Sequence, residues 1–202
     1  MENMVDSATA VSQSAATSRF SFNPASVAGA FVVERVAAED PRGSFTRMFC
    51  AEEFQRLGLN KKIVQINHSV TRRKGAVRGL HFQHPPHAET KIVSCLRGCV
   101  FDVMVDIRAG STTFLEWHGE ILSEENGRAL VIPEGCAHGF QALEDDCELL
   151  YLHTDYFTSA AEGALNVRDP RLAIDWPLAI TELSDRDRSH PLIDPDFSGV
   201  QP

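Results

Sequence analysis

The chain has 202 residues, 43% of them hydrophobic, enough to bury a substantial core, and its length is most economically one domain. A net charge of −9 with a pI near 5.3 sets the surface against nucleic acid and anionic membranes, while leaving room for a local basic pocket. No run approaches the ~18 apolar residues that cross a bilayer, and no basic segment precedes an apolar one near the start, so neither a membrane span nor secretion is indicated.

Residues 1–20, MENMVDSATAVSQSAATSRF, are rich in Ser and Ala and offer little to pack, which predicts a mobile tail ahead of a domain over 21–202. Glu2, Asp6 and the single Arg19 argue against a transit peptide. From Phe31 the chain is a series of short apolar or alternating runs: FVVERV, KIVQIN, KIVSCL, CVFDVMVDI, FLEWHGEIL, ALVIP and CELLYLHT. Gly, Pro and Asp/Asn clusters divide them, and they read as strands. AEEFQRLGL at 51–59 has helical spacing, with Phe54 and Leu57 on one face and Gly58 as a stop. Many short strands with closely spaced turns predict an all-β sandwich or jelly roll. After Asp155 the chain turns polar and Pro-punctuated, which predicts an irregular surface wrap able to carry binding residues.

The five cysteines, Cys50, Cys95, Cys99, Cys136 and Cys147, form no C-x-x-C pair, and an odd number cannot close a complete disulfide framework. They read as small buried hydrophobes in strands, and a reducing, cytoplasmic compartment fits.

The densest chemistry lies in GAVRGLHFQHPPHAETKIVSCLRG at 75–98. His81, His84, His87, Glu89 and His138 could be combined into a metal-binding set. On a strand, however, His81 and Gln83 share one face, His84 points to the other, and His87 follows the Pro85–Pro86 break. Proton transfer uses the run better. A hairpin at Pro85–Pro86 would bring His81 and Lys91 to one face of neighbouring strands, with Arg78 adding positive charge. A neutral imidazole could then take a proton beside a carbonyl while the cations stabilise the enolate. The bland reading is a core histidine bonded to backbone.

GRALVIPEGCAH at 127–138 resembles the second cupin motif, G-x5-P-x-G-x2-H, although Ala142 stands where an Asn is expected. In the first motif Gln83 and Lys91 occupy the places of a metal-binding His and Glu. An ammonium beside a divalent cation is unfavourable, so the resemblance implies an all-β cupin jelly roll without a metal cofactor.

A longer resemblance runs from about Phe31 to Ile193. RGSF (42–45), QINHS (65–69), RGLHFQ (78–83), ETK (89–91), FDVMVDIR (101–108), IPEGCAHGF (132–140), DP with IDWP (169–177) and LSDRD (183–187) follow in order. Together they are similar to the dTDP-4-dehydrorhamnose 3,5-epimerase family. The resemblance implies His81 as catalytic base, Asp187 as its carboxylate partner, Tyr151 as proton donor on the opposite sugar face and Lys91 beside the keto oxygen. It places Arg42, Gln65, Asn67, Arg78, His138, Glu162 and Arg186 at positions that contact a nucleotide sugar or shape its pocket, with Arg42 and Arg78 as diphosphate partners. It implies a cofactor-free epimerase and a homodimer in which Arg42 serves the neighbouring subunit. Arg47 and Ile66 depart from common family residues, which leaves the nucleotide base open, and Phe157 after Tyr156 stands where relatives have two tyrosines, which leaves the number of epimerised carbons open; Arg186 stands where a lysine is frequent and keeps its charge.

The expected activity is conversion of dTDP-4-dehydro-6-deoxy-D-glucose to dTDP-4-dehydro-L-rhamnose, with no nucleic-acid or membrane partner. The alternatives are a mono-epimerase on a related 4-ketosugar, a metal-dependent cupin oxygenase and a non-catalytic sugar-nucleotide binding module. A 3,4-ketoisomerase of the same fold is disfavoured, because those relatives tend to carry a second His where this chain has HFQ.

Overall fold

The computed structural model describes residues 18–201 and contains two antiparallel sheets packed face to face. The strands are β1 (Phe20–Pro24), β2 (Phe31–Arg35), β3 (Ala38–Asp40), β4 (Gly43–Phe45), β5 (Gln65–Thr71), β6 (Val77–Gln83), β7 (Lys91–Arg97), β8 (Cys99–Asp106), β9 (Trp117–Ser123), β10 (Ala129–Ile132), β11 (Cys136–Ala142), β12 (Cys147–His153) and β13 (Glu162–Ala164). One sheet has the order β1-β2-β10-β7-β12-β5, the other β13-β6-β11-β8-β9, and β3 and β4 form a separate hairpin. Two short helices are α1 (Ala51–Phe54) and α2 (Asp185–Ser189). The expected cupin jelly roll is the fold observed.

Three layers of apolar packing hold it together. Between the sheets, Val93, Leu130 and Leu149 meet Met104, Leu122 and Phe140. On the outer face of the six-stranded sheet, Phe54 of α1 packs with Phe20, Val33, Ile92 and Leu152. On the outer face of the five-stranded sheet, Val103, Val105 and Ile107 pack against Leu165, Val167, Leu172 and Leu183 of the C-terminal segment. This explains the nearly continuous apolar run CVFDVMVDI. Its strand is covered on both faces, so side chains pointing either way are buried.

Several expectations are adjusted. The expected helix over 51–59 is α1 followed by one 3₁₀ turn at Gln55–Leu57, stopped at Gly58 with φ 77°. KIVQIN becomes strand only from Gln65. Phe20, assigned to the tail, is buried in β1 beside Phe54; residues 1–17 of that tail lie outside the described residues. Cys50 precedes α1 instead of sitting in a strand, and Cys50 and Cys99 are half-buried. All five cysteines are free thiols, and burial pushes Cys95 and Cys136 up to about 12. The C-terminal wrap is irregular, as expected, yet its apolar residues form the third packing layer.

Asp106, at the end of β8, has no exposed side-chain surface. It accepts bonds from Arg108 Nε and Nη2 at 2.8 and 2.7 Å, and from Ser111 Oγ and Thr113 Oγ1 at 2.6 Å each. Burial raises its pKa, but these donors outweigh burial and hold it at about 2. A depressed carboxylate contributes stability that is complete above its unfolded pKa near 4 and is lost as pH falls toward 2. Asp106→Asn should therefore cost about 2 kcal/mol at pH 7 in urea unfolding, with the gap to wild type narrowing below pH 4. A gap independent of pH would refute the ion-pair account.

Candidate active site

A pocket of about 1000 Å³ opens between the sheets and the C-terminal segment. Its walls come from β5, β6, β7, β11, β12 and the stretch 182–187. β6 contributes Arg78, His81 and Gln83. Arg78 and His81 are an odd number of positions apart, so a regular strand would send them to opposite faces. The register between β11 and β6 shifts between His138 and Phe140, and that irregularity admits both to the pocket. Gly79 makes it possible, with φ +133° and its backbone pressed on β11.

His81 Nε2 lies 2.7 Å from Asp187 Oδ1. Asp187 is buried, and Ser184 caps α2 by accepting the Asp187 N–H at 3.0 Å. Burial pushes the Asp187 carboxyl up, but the His81 bond and charge, with bonds from Ser184 and the Gly79 N–H, bring it below the ordinary carboxylate range. Asp187 thus stays ionised and fixes one imidazole nitrogen, leaving the other ring nitrogen free.

The facing sheet supplies Lys91 and Tyr151. Lys91 is buried, and its Nζ donates to the His81 carbonyl at 3.2 Å and lies 3.3 Å from Glu89 Oε1. The expected hairpin between β6 and β7 does not form, because the two strands belong to opposite sheets. Lys91 instead pairs in register with His153 and reaches His81 across the sandwich. Glu89 also sits 2.8 Å from His153 Nδ1, and Asn67 Nδ2 lies 3.2 Å from His153 Nε2. Burial raises Glu89, but His153 and Lys91 outweigh it and keep the carboxyl ionised.

Tyr151 lies between the rings of His138 and His153, with centroids 5.9 and 6.1 Å away. Its hydroxyl accepts from Ser69 Oγ at 3.3 Å. Burial drives its pKa up, so the phenol stays protonated at neutral pH. His138 pairs in register with His81, and its Nε2 lies 2.9 Å from an oxygen of the fully buried Asp102.

Of the remaining expected residues, Asn67, Arg78, His138, Glu162 and Arg186 line the pocket. Arg186 and Glu162 form an ion pair at its rim. Gln65 stands just behind, donating to Asn67 Oδ1 at 3.2 Å and accepting the Phe157 N–H at 3.0 Å. Arg42 is not in this pocket; it sits on the β3–β4 hairpin, 90% exposed and paired with Asp40. Arg47 turns away to Glu53 at 3.0 Å, whereas Phe157 lines the pocket mouth.

Asp102, His153, Ser69 and Arg72 join the site although no motif in the sequence singles them out. Strand alternation could have found two of them, since His153 follows Tyr151 by two and Asp102 shares a face with Met104. Gln83, at a cupin ligand position, is used up structurally: its amide donates to the His87 and Tyr156 carbonyls and accepts the Thr158 N–H. With Lys91 at another, the usual cupin metal position does not suit a cation.

A jelly roll whose pocket faces an imidazole–carboxylate pair toward a buried ammonium and a protonated phenol defines a cupin-type acid–base isomerase. The chain belongs to the dTDP-4-dehydrorhamnose 3,5-epimerase family, whose family model matches residues 24–194. It is 43% identical over 165 residues to the dTDP-4-dehydrorhamnose 3,5-epimerase of Salmonella typhimurium, covering 81% of this chain and 90% of that one. It is 39% identical over 166 residues to a dTDP-4-dehydrorhamnose 3-epimerase of Streptomyces niveus, covering 82% and 80%. The crystal structure of dTDP-6-deoxy-D-glucose-3,5-epimerase from Legionella pneumophila in complex with dTDP-4-keto-L-rhamnose superposes with a TM-score of 0.84 at 39% identity, covering 91% and 99%.

A methyl group on Gly79 would lie 2.5 Å from Gly139 Cα and 2.9 Å from the His138 carbonyl oxygen. Both contacts are with backbone, which cannot rotate away. Gly79→Ala should destabilise the protein by about 3 kcal/mol, lowering Tm by roughly 6–12 °C in calorimetry. An unchanged Tm would show that the β6 irregularity relaxes freely.

Proposed function

We propose that the chain converts dTDP-4-dehydro-6-deoxy-D-glucose to dTDP-4-dehydro-L-rhamnose by inverting carbons 3 and 5. The observation that carries this reading is the division of acid and base between facing sheets: His81 with Asp187 on one wall, Tyr151 with Lys91 on the other. The His81 nitrogen not held by Asp187 removes the proton beside the C4 ketone. The electron pair moves onto the C4 oxygen, where the Lys91 ammonium stabilises the enolate. Tyr151 returns a proton to the same carbon from the opposite face, inverting it. Solvent then reprotonates the phenol and takes the proton from His81, so the chemistry needs no change of oxidation state. Arg78, with Arg72 nearby, offers guanidinium groups for the diphosphate.

The test is incubation with the ketosugar nucleotide in deuterated water, followed by mass spectrometry and proton NMR. Wild type should take up deuterium at both carbons, and His81→Asn should slow uptake by roughly 10²–10⁴-fold. Tyr151→Phe should retain exchange on the base's face while losing inversion. Uptake at one carbon alone would assign a mono-epimerase, the activity named for the Streptomyces niveus relative. No uptake would sink the reading.

Homodimerisation with an exchanged Arg42 is part of the same proposal. Arg42 is far more exposed than a phosphate-binding arginine needs to be, and β5 is a sheet edge with Ile66 62% and Val70 42% exposed. Phe45, on the Arg42 hairpin, is 75% exposed. Covering such an edge with a second copy would remove unpaired backbone and apolar surface from water. Arg42→Ala and His81→Asn should each be nearly inactive, and co-refolding the two should recover activity. In a mixed dimer, one pocket would then hold both native residues. Absence of recovery would place Arg42 in its own subunit's pocket or remove it from the site.

A further inference from the structure

His190, immediately after α2, is a metal-ligating side chain that the epimerisation chemistry leaves unused. A ring nitrogen of His190, a ring nitrogen of His81 and a carboxylate oxygen of Asp187 all lie within 4.8 Å of one another. His190 Nε2 is buried and has no hydrogen-bond partner. The backbone there is anchored, because the His190 carbonyl accepts from Asn166 Nδ2 at 2.7 Å. A buried, unsatisfied imidazole nitrogen costs free energy unless something occupies it.

We propose that His81, Asp187 and His190 bind one divalent transition-metal ion of the Zn²⁺ type, and that the ion reversibly inhibits the enzyme. Two imidazoles and one carboxylate are the donors such borderline ions select, whereas Mg²⁺ and Ca²⁺ favour oxygen. Tetrahedral Zn²⁺ with ~2.0 Å bonds needs donor atoms roughly 3.3 Å apart. The trio therefore closes on an ion with modest side-chain movement. Two of the three donors, His81 and Asp187, line the pocket, so an ion held there is reachable from it.

Charge favours the site as well. Cations around the site have acidic partners, Arg186 with Glu162, Lys91 with Glu89 and Arg188 with Asp185, so the Asp187 carboxylate supplies the local negative charge. The site shares only His81 with the cupin ligand set, whose other places Gln83 and Lys91 deny to a metal. Coordination would consume the lone pair of His81 and draw Asp187 from its orienting role, so enolisation stops while the ion is bound. The binding claim stands on the donor geometry, and the inhibition claim rests on the epimerase reading.

The experiment uses the tag-free full chain. Zn²⁺ binding is measured by isothermal titration calorimetry, and the ligand field by the visible spectrum of Co²⁺, for wild type, His190→Ala and the closer-sized His190→Gln. Loss of even an outer partner of a metal ligand costs ~10–100-fold in affinity, so loss of a direct ligand should cost at least about tenfold. Wild type should bind one ion per chain. The His190 variants should lose that affinity, keep metal-free deuterium exchange at the wild-type rate, and need a correspondingly higher Zn²⁺ concentration for inhibition. EDTA should restore the inhibited wild type. Equal Zn²⁺ affinity in wild type and both variants, or no binding by wild type at millimolar Zn²⁺, overturns the proposal. His190-dependent binding in a chain that never exchanges deuterium would remove the epimerase reading and leave the metal site standing.

Discussion

The interior of a β-sandwich tolerates ionisable side chains where each finds a partner, and this pocket is built on that constraint. Asp102 holds His138, Glu89 holds both Lys91 and His153, and Asp187 holds His81. Removing Asp102 or Glu89 would leave a buried partner with an unmet charge or hydrogen bond, and removing His81 would do the same to Asp187. The same pairing fixes orientation. Asp187 leaves one nitrogen of His81 free, and Glu89 keeps the Lys91 ammonium close to the opposite wall. Acid–base chemistry at the site thus follows from an arrangement that folding itself requires.

Topology delivers those pairs. His81 and Asp187 are 106 residues apart and Asp102 and His138 are 36 apart, so these pairs do not form by local folding, whereas Glu89 and Lys91 are two apart. The antiparallel registers bring His81 opposite His138 and Lys91 opposite His153. The C-terminal segment then has two tasks. Its Leu165, Val167, Leu172 and Leu183 cover the outer face of the five-stranded sheet, and that packing carries Asp187 to the pocket. A segment that looks like surface decoration by composition is anchored through one face and lines the pocket at its end.

The metal inference follows from the same economy. A histidine placed one turn beyond Asp187 shares the environment that makes Asp187 a good partner for His81. The property that suits the pair to hold a proton, a concentrated imidazole and carboxylate donor set, also suits it to hold a borderline cation. Susceptibility to such ions would then be a cost of the acid–base design at this position.

Much of this was legible before any coordinates. Short apolar runs such as ALVIP and CELLYLHT and the punctuation between them mark the all-β class, because strands covered on both faces read as nearly continuous apolar runs bounded by turn residues. The motif order from RGSF to LSDRD marked the family, and nine of the eleven residues singled out line the pocket. Local pattern could not place Lys91 on the sheet facing His81, since a strand's sequence carries no record of which sheet it joins. Nor could it show that an irregularity at Gly79 admits Arg78 beside His81, or that Arg42 lies outside the pocket. Residue chemistry and strand character are properties of short stretches and survive in the sequence. The pairing of Asp187 with His81, the unsatisfied His190 and the division of acid from base between two walls depend on contacts across the chain, which tertiary packing alone decides.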